Sequence, residues 1–326
     1  MRNAVLSGVV ALILCTAAWP LRAADWPDKP IKIVVPFPPG GATDAAARIY
    51  APRMAKLLGQ PVVIENKPGA GGEIGAEQVA RATPDGYTLL MGALGSLAIH
   101  AAMPKKPAYD LATAYAGVSL AITMPMAVAV SSRVQAKSIS ELITLAKAEP
   151  GRLTIGTGGQ GTSQHMASEL FQIMSGTRLV HVPYRGSGPA IADLLGGQID
   201  MVIDTLPALM GQADNKRIRI LAVTTPERAH SLPTVPTLAE AGVPDYSVAT
   251  TYALMAPSGT PEAVIRKLSE AMRTSADNPE VQKSAAKLGA LAVATTPAQT
   301  REVIRGEIEK WGRVVATSLA AEQGEK

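Results

Sequence analysis

Three glycine-rich turns constrain this chain more than any other feature of its sequence. Each turn follows an apolar run of β-strand character and opens an amphipathic helix, and the turns span residues 36–44, 66–72 and 156–163. Glycine lets the backbone approach a ligand closely, and the first turn of a helix carries unpaired N–H groups at the positive end of its dipole. Lys67 is the only cation in the three turns. We therefore predict that main-chain donors at these turns bind an anion.

The first 23 residues have the pattern of a secretory signal. Arg2 provides a positive start, residues 4–19 form an apolar stretch too short to span a bilayer comfortably, and Leu21-Arg22-Ala23 resembles a small-residue cleavage site. A membrane anchor is the alternative, but polar Asp25 and a proline-rich segment follow at once. We predict cleavage near Ala23 or Ala24 and a periplasmic location.

Composition narrows the class of protein. Cys15 is the only cysteine, so the mature chain would have no disulfide, no thiol nucleophile and no cysteine metal ligand. Removal of Arg2 and Arg22 lowers the net charge from +4 to +2, and aromatic residues make up 4% of the chain. This mild charge and low aromatic content give no basis for nucleic-acid binding. No later apolar run is long enough to cross a membrane, and the 47% hydrophobic content suffices for two cores. We expect a monomer.

Strand and helix patterns alternate along the whole mature chain. The predicted strands are 31–35, 62–65, 88–91, 127–130, 153–155, 179–182, 201–203 and 218–223, and the predicted helices between them are 43–58, 72–82, 138–148, 162–174, 188–195 and 207–215. Ser138 with Glu141 predicts a capping box. After Tyr246 come an apolar run through Met255 and helices beginning near Pro261, Pro279 and Pro297.

These patterns predict an α/β fold with two lobes, each a mostly parallel sheet flanked by helices. Lobe one comprises residues 24–123 plus 251–326, and lobe two comprises residues 124–250. Parallel sheets bind ligands at the carboxyl ends of their strands. All three glycine-rich turns follow such ends, so we expect them to face a ligand cleft between the lobes.

Common catalytic and cofactor motifs are absent or incomplete. Residues 156–161 match the dinucleotide fingerprint G-x-G-x-x-G, but the next strand ends in Val182-Pro183-Tyr184-Arg185 without the acidic residue that should hold the ribose. There is no G-x-S-x-G elbow and no phosphate loop. His165 and Glu169 share a helix face, but two ligands are too few for a metal site. We predict no cofactor and no metal.

Several polar residues beside the turns have two readings each. Asp44 either stabilises its helix N-terminus and so holds the loop, or contacts the ligand, although like charges repel. His165 either caps or packs near its turn or lines the site. Asp204 either accepts a hydrogen bond from the ligand or caps the following helix. The hydroxyls of Thr43, Thr162 and Ser163 can donate to a carboxylate.

Six segments, in this order, resemble the periplasmic solute-binding receptors of tripartite tricarboxylate transporters, also called the Bug family. They are I-K-I-V-V-P-F-P-P-G-G-A-T-D (31–44), N-K-P-G-A-G-G (66–72), G-T-S-Q-H-M-A-S-E-L (161–170), H-V-P-Y-R-G (181–186), D-L-L-G-G-Q-I-D (193–200) and L-P-T-V-P-T-L-A-E-A-G (232–242). The chain departs from the family pattern at 99–104, where an Asn-Pro pair is usual, and at 251–253, where Trp-x-Gly is common. Both departures lie near the expected cleft.

The resemblance implies a type II periplasmic-binding fold that closes on a small organic carboxylate with the help of ordered waters. It implies ligand contacts from Gly41, Thr43, Gly69, Ala70, Thr162, Ser163, Tyr184 and Asp204, and the full predicted set adds Pro39, Gly40, Asp44, Gly71, His165 and Gly186. The implied partners are the membrane subunits of a transporter. Alternatives are an orphan receptor that presents its ligand to a sensor, and an exported α/β enzyme using Ser163, His165 and Asp204. Leu94, Ser96, Met124 and Tyr252 either shape the distal pocket or serve packing.

Overall fold

The computed structural model of this 326-residue chain describes residues 26–213, 217–229 and 231–324. The predicted signal segment 1–23, the end of the predicted helix 207–215 and His230 lie outside the described residues.

Strands from both halves of the chain join one ten-stranded sheet within the described residues. The strands are β1 (Ile31–Val35), β2 (Val62–Asn66), β3 (Thr88–Ala93), β4 (Tyr115–Ser131), β5 (Thr154–Thr157), β6 (Val180–Pro183), β7 (Met201–Thr205), β8 (Ile218–Val223), β9 (Ala249–Pro257) and β10 (Leu291–Ala292). They run in the order β2-β1-β3-β9-β4-β7-β5-β6, and β8 and β10 also pair with β4. Parallel pairs join β1 to β2 and β3, and β5 to β6 and β7, whereas the pairs made by β4 and β9 are antiparallel.

The long strand β4 links two halves of the sheet. The first half contains β1, β2, β3, β9 and β10, and the second half contains β5, β6, β7 and β8. It pairs with β9 from Tyr115 to Pro125 and with β7 and β8 from Met126 to Ser131. The sequence pattern predicts only residues 127–130 of this strand. Proline is disfavoured in the middle of a strand, because it has no N–H to donate to the ladder. Pro125 fits here because it is the last residue of one ladder, immediately before β4 changes partners.

Thr224 holds together the two segments that pass between the halves. Its hydroxyl accepts a hydrogen bond from the Met126 N–H at 3.1 Å and donates to the Val248 carbonyl at 2.6 Å. Its own main chain bonds to the same two residues. Thr224 is fully buried, so this fastening is shielded from competing water.

The helices lie on both faces of the sheet. They are α1 (Ala42–Leu58), α2 (Glu73–Ala80), α3 (Leu94–Ala102), α4 (Ile139–Ala148), α5 (Ser163–Ser175), α6 (Ser187–Gly196), α7 (Leu206–Ala213), α8 (Glu262–Ala276), α9 (Pro279–Lys287) and α10 (Pro297–Gly324). Ser138 caps α4 as predicted, with its hydroxyl 3.2 Å from the Glu141 N–H, while the Glu141 carboxylate reaches the Lys137 N–H instead of closing the box on Ser138. The sequence pattern does not predict α3. None of the described helices combines the length and apolar character needed to cross a membrane.

Three hydrophobic clusters stabilise the described residues, and the largest of them spans both halves of the sheet. It contains Leu90 from β3 and Ile155 from β5 together with buried Trp311 from α10. A second cluster packs α1 and α8 on one half, and a third packs α6 and α7 on the other. The two halves therefore share a core on one face in addition to their separate cores.

Candidate functional site

A cleft of about 850 Å³ lies where the carboxyl ends of the strands from the two halves meet. Of the predicted ligand-binding residues, nine line it, namely Pro39, Gly40, Gly41, Thr43, Gly69, Gly71, Thr162, Ser163 and Gly186. Five do not line it, namely Asp44, Ala70, His165, Tyr184 and Asp204. All three glycine-rich turns thus reach one cavity, and the ligand contacts of individual residues stay a prediction.

The first turn presents the N-terminus of α1 to the cleft. Gly41 is the N-cap residue and provides no side-chain cap, so the first N–H groups of the helix are left for another acceptor. Gly40 has a φ of 83°, a left-handed conformation that favours glycine. The turn therefore offers main-chain donors, as its sequence predicts.

Asp44 lies beneath this turn and holds its shape. The carboxylate accepts hydrogen bonds from the Gly40 N–H at 2.9 Å, the Arg48 Nε at 2.7 Å and the Asn66 Nδ2 at 2.9 Å. Burial alone would raise the pKa of Asp44, but these hydrogen bonds outweigh it and hold the pKa below the ordinary Asp value. This geometry favours the first reading of Asp44, in which it fixes the loop.

The second turn follows β2 and is built from glycines in unusual conformations. Gly69, Gly71 and Gly72 all have positive φ. A Cβ added to Gly71 would lie 2.4 Å from Cε1 of His100, a residue of α3. Only glycine fits there, because both the backbone conformation and the space exclude a side chain. The exposed Lys67 is not among the cleft-lining residues.

The third turn presents the N-terminus of α5. Thr162 is the N-cap, and its hydroxyl accepts from the His165 N–H at 3.3 Å and donates to the Gly159 carbonyl at 2.7 Å. The Thr162 hydroxyl is therefore already engaged within the turn. The Ser163 hydroxyl lies 3.3 Å from the hydroxyl of Ser96, which belongs to α3, so the third turn touches the first half of the chain.

Two further helix N-termini reach the cleft outside the three glycine-rich turns. Gly186 is the N-cap of α6 and provides no side-chain cap, and Ser187 and Gly188 line the cleft with it. Thr205 and Ala208 bring the start of α7 to the same cavity. Four helix N-termini, those of α1, α5, α6 and α7, therefore converge on one space, and their dipoles favour negative charge there. Gly186, the N-cap of α6, is among the ligand contacts predicted from the sequence.

Arg185 is the only charged side chain among the described residues that line the cleft. It is exposed. The neighbouring Tyr184 instead donates its hydroxyl to Asp193 at 2.7 Å. Burial, together with this hydrogen bond, raises the pKa of Tyr184 to about 12. The turn after β6 therefore adds a cation to the main-chain donors that the glycine-rich turns present.

Asp204 is buried at the end of β7 and supports the cleft wall from behind. One of its oxygens, Oδ1, accepts from the Ser187 hydroxyl at 2.8 Å, the Thr205 N–H at 2.6 Å and the Gln164 amide at 3.3 Å. Burial raises the pKa of Asp204 above the ordinary Asp value, and these hydrogen bonds reduce that rise without cancelling it. Asp204 thus connects the first turns of α5, α6 and α7.

His165 packs away from the cleft in a cluster with Glu169 and His181. Glu169 lies 2.9 Å from the Nε2 of His181 and 3.9 Å from the Nε2 of His165, and the three donor groups lie within 4.8 Å of one another. Burial and then the neighbouring His181 lower the pKa of His165. The spacing suits a metal ion, but the Gln172 amide already lies 2.7 Å from the His181 Nε2. The predicted absence of a metal stays a prediction.

The residues named for the enzymatic alternative do not form a hydrogen-bonded relay. Within the described part of the chain, no hydrogen bond joins Ser163 to His165 or His165 to Asp204. A serine nucleophile needs a base within hydrogen-bond reach and a group that orients this base. This arrangement therefore gives that alternative no geometric support.

The distal wall of the cleft is formed by the strands that connect the two halves. Met124, Thr250 and Tyr252 of these strands line it, Ser96 of α3 lines the cleft beside Ser163, and Leu94 belongs to the hydrophobic core. Met124 and Thr250 are cross-strand partners on β4 and β9. The Thr250 hydroxyl is buried and has no hydrogen-bond partner among the described residues.

Residues 46–319 match the family model described as the tripartite tricarboxylate transporter family receptor. The chain belongs to this family. The receptor is 36% identical to protein BugT of Bordetella pertussis over 313 residues, which cover 95% of this chain and 96% of BugT. These matches confirm the family resemblance predicted from the six segments.

Solved structures agree with this assignment. The receptor is similar to the R. palustris protein Rpa4515 with adipate, at 34% identity and a TM-score of 0.82, covering 90% of this chain and 98% of that chain. It is also similar to MatC from Rhodopseudomonas palustris with bound malate, at 33% identity and a TM-score of 0.79, covering 89% and 100%. The predicted two-lobed periplasmic-binding fold is thereby confirmed.

Proposed function

We propose that this receptor captures a small organic carboxylate in the periplasm and delivers it to the membrane subunits of a tripartite tricarboxylate-type transporter. One observation carries the proposal: four helix N-termini converge on a cleft in which Arg185 is the only charged side chain among the described lining residues. Adipate and malate in the structures of similar proteins support the carboxylate class. Family membership supports the transporter partner.

The lining chemistry favours an anion over other small solutes. A cationic amine needs a carboxylate partner, and the described lining residues include none. The uncapped N-termini of α1 and α6 place main-chain N–H groups and dipole ends at the cavity. Such donors satisfy carboxylate oxygens without any covalent step, so binding rather than turnover is the activity that this site supports.

We assign roles to the predicted site residues on this basis. Gly41, Thr43, Gly69 and Gly71 contact the ligand from the first half of the chain, and Thr162, Ser163 and Gly186 contact it from the second. Asp44 and Asp204 act from behind the lining, because each hydrogen-bonds to residues of the cleft wall.

Closure of the two lobes would supply the remaining binding energy. A ligand drives closure only if it binds the closed state better than the open one, and contacts from both halves provide that difference. We place the lobe boundary at residues 123–125 and 248–251. The partner change of β4 after Pro125 and the start of β9 at Ala249 support this division.

A charge introduced at a helix N-terminus tests the proposed function. Ala42→Asp adds a carboxylate to the first turn of α1 in the cleft lining, where it stabilises the helix through the dipole but repels an anion. Ala263→Asp makes the same change in the exposed first turn of α8, away from the cleft. We expect ligand affinity to fall at least about tenfold in the first variant and to stay unchanged in the second.

Ligand identity is read out in parallel. After removal of endogenous ligand under denaturing conditions and refolding, thermal shift with mono-, di- and tricarboxylates should raise the melting temperature. Mass spectrometry of freshly purified protein should find a stoichiometric, chemically unaltered acid. A response to sugars or cationic amines with none to carboxylates would contradict the proposal, as would equal affinities of the two aspartate variants.

A further inference from the structure

Two imidazoles and a carboxylate meet away from the cleft. His165 and Glu169 lie one turn apart on the same face of α5, and His181 belongs to the neighbouring strand β6. The sequence gives no reason to expect a metal, because the helix alone supplies two ligands. The fold adds the third, and nitrogen with carboxylate oxygen is a donor set that suits transition metals.

The spacing of the three groups is close to that of a coordination sphere. Oε1 of Glu169 lies 2.9 Å from Nε2 of His181 and 3.9 Å from Nε2 of His165, and the three donor groups lie within 4.8 Å of one another. Ligand atoms around a tetrahedral Zn²⁺ lie about 2.0–2.2 Å from the metal and therefore roughly 3.3–3.6 Å from one another. A small rotation, mainly of His165, closes the three groups on one ion.

The hydrogen bonds around His181 conflict when no cation is bound. Gln172 accepts from the Leu179 N–H through its Oε1 at 2.6 Å, so its NH₂ group faces the Nε2 of His181 at 2.7 Å. The same Nε2 faces the Glu169 carboxylate. A proton on Nε2 opposes the Gln172 donor, and a lone pair on Nε2 opposes the carboxylate. No protonation state of His181 therefore satisfies both neighbours.

The ring of His165 is also left without a hydrogen bond. Its Nδ1 is buried and unpartnered within the described part of the chain, and its Nε2 is too far from Glu169 for a hydrogen bond. The Nδ1 of His181 is buried and unpartnered in the same way. Buried polar atoms without partners are uncommon. Either nitrogen of an imidazole can bind a metal, so an ion explains why these rings lack other partners.

The surroundings of Glu169 resemble those of a ligating carboxylate. The Ser318 hydroxyl of α10 donates to its Oε2 at 2.9 Å, which orients the group and leaves Oε1 for an ion. The side chains of the three donor residues are 16% to 21% exposed. An ion can therefore enter from solvent and keep a water molecule as its fourth ligand.

We propose that His165, Glu169 and His181 form a binding site for a divalent transition metal such as Zn²⁺. Imidazole ligands select such ions over Mg²⁺ and Ca²⁺, which take oxygen ligands. The ion joins α5 to β6 and, through Ser318, lies beside α10. This inference goes beyond the proposed function and does not depend on it, because none of the three residues lines the cleft.

Two substitutions with opposite expected effects test the site. Glu169→Gln removes the charged ligand and keeps an oxygen that can accept from the Ser318 hydroxyl. Gln172→Glu replaces the NH₂ group opposite His181 with a carboxylate oxygen, while the other oxygen can still accept from the main chain of β6 and its approach.

The matched control for the second substitution is Gln299→Glu. It adds the same charge at an exposed position in the first turn of α10, about 28 Å along that helix from Ser318. The Gln299 Oε1 accepts from the Thr296 N–H at 2.9 Å, and a glutamate can keep this hydrogen bond.

Tag-free protein is stripped of metal with a chelator and titrated with Zn²⁺ or Mg²⁺ by calorimetry, and its melting temperature is measured with each ion. We expect wild-type protein to bind one Zn²⁺ and to melt at a higher temperature with it, but to give no response to Mg²⁺. Glu169→Gln should weaken Zn²⁺ binding at least about tenfold, and Gln172→Glu should tighten it about tenfold. Gln299→Glu should bind Zn²⁺ like wild-type protein.

Other outcomes overturn the site. Wild-type protein that binds no Zn²⁺, or that binds it equally well after Glu169→Gln, would show that these residues do not hold the ion. Equal gains in Gln172→Glu and Gln299→Glu would show that added charge, and not a new ligand, is responsible. Carboxylate titrations of the same preparations separate the two proposals: loss of Zn²⁺ binding alone contradicts the metal site, and absence of carboxylate binding alone contradicts the proposed function.

Discussion

The support of the first turn by Asp44 gives a prediction whose size follows from its hydrogen bonds. In wild-type protein both carboxylate oxygens of Asp44 accept hydrogen bonds. Asp44→Asn converts one of these oxygens into an NH₂ group, which cannot accept. The arrangement that loses least turns the NH₂ toward Asn66, which keeps the acceptor for Gly40 and Arg48. This arrangement breaks one hydrogen bond to a charged group, a loss of about 1.5–3 kcal/mol.

The ion pair contributes little to this total. The Arg48 side chain is 55% exposed, and solvent screening removes most of the energy of an exposed ion pair. We therefore expect Asp44→Asn to lower the free energy of unfolding by about 2–3 kcal/mol. If the ligand must restore the turn before it binds, a cost of about 2 kcal/mol corresponds to roughly 30-fold weaker affinity.

Urea denaturation of ligand-free protein and calorimetric titration with the ligand measure the two quantities. Asp200→Asn is the control, because Asp200 accepts from the Thr154 N–H at 2.8 Å and the Thr154 hydroxyl at 2.9 Å but does not line the cleft. The control should keep its affinity, and its stability should change little, because the asparagine oxygen can keep both hydrogen bonds. Tighter binding by Asp44→Asn would refute the reasoning, since it would mean that repulsion between the Asp44 charge and the ligand outweighs the support of the turn.

Three further substitutions probe the charge of the cleft wall and the connection between the halves. Asp204→Asn keeps the oxygen that accepts all the hydrogen bonds of Asp204. Because the pKa of Asp204 is raised in the folded state, the contribution of Asp204 to stability falls as pH rises above 3.8, so the variant's melting temperature relative to wild type should increase from pH 4 to pH 8. A relative decrease over that range would contradict this. Arg185→Gln should weaken ligand binding by up to about fivefold and reduce its salt dependence, measured by titration at two ionic strengths, because an exposed charge pair is worth at most about 1 kcal/mol. Thr224→Val should lower the free energy of unfolding measured in urea by about 1–3 kcal/mol, because it leaves the Met126 N–H without its hydroxyl partner. An unchanged midpoint of urea denaturation would show that Thr224 does not stabilise the contact between the segments of Met126 and Val248.

Local signals were sufficient for most of the fold. The strands β1 and β8 have the predicted bounds 31–35 and 218–223, since each is a short apolar run between turn residues. The helix α3 escaped prediction because Leu94–Ala102 is almost entirely apolar and follows β3 directly, without a turn or capping residue. Its burial is decided by contacts with α10 and β9, which no local pattern encodes.

The same limit applies to the candidate site. Glycine patterns located the turns of α1 and α5, because only glycine suits positive φ and close backbone approach. They did not identify Arg185 as the cleft's cation, since a single arginine has no pattern. Asp44 and His165 are adjacent in sequence to lining residues, yet their side chains lie behind the wall or pack elsewhere. Which side of a turn a side chain occupies depends on the packing beneath it.

The position of the distal wall predicts which parts of the cleft contact the ligand before closure and which contact it only afterwards. Met124 and Thr250 lie beside the partner change at Pro125, where the proposed lobe boundary would place a hinge, and residues near a hinge move least during closure. The open receptor should therefore already present the distal wall together with the turn of α1, and the N-termini of α5 and α6 should arrive on closure. Gly188→Asp places a negative charge in the first turn of α6, where Gly188 lines the cleft. A Cβ atom at this position would have no neighbouring atom within 4 Å, so the side chain fits without a clash. This variant should still bind the ligand, more weakly, and without the ligand-induced compaction that we expect small-angle scattering to detect in wild-type protein. If the variant compacts fully with ligand, the N-terminus of α6 does not take part in closure.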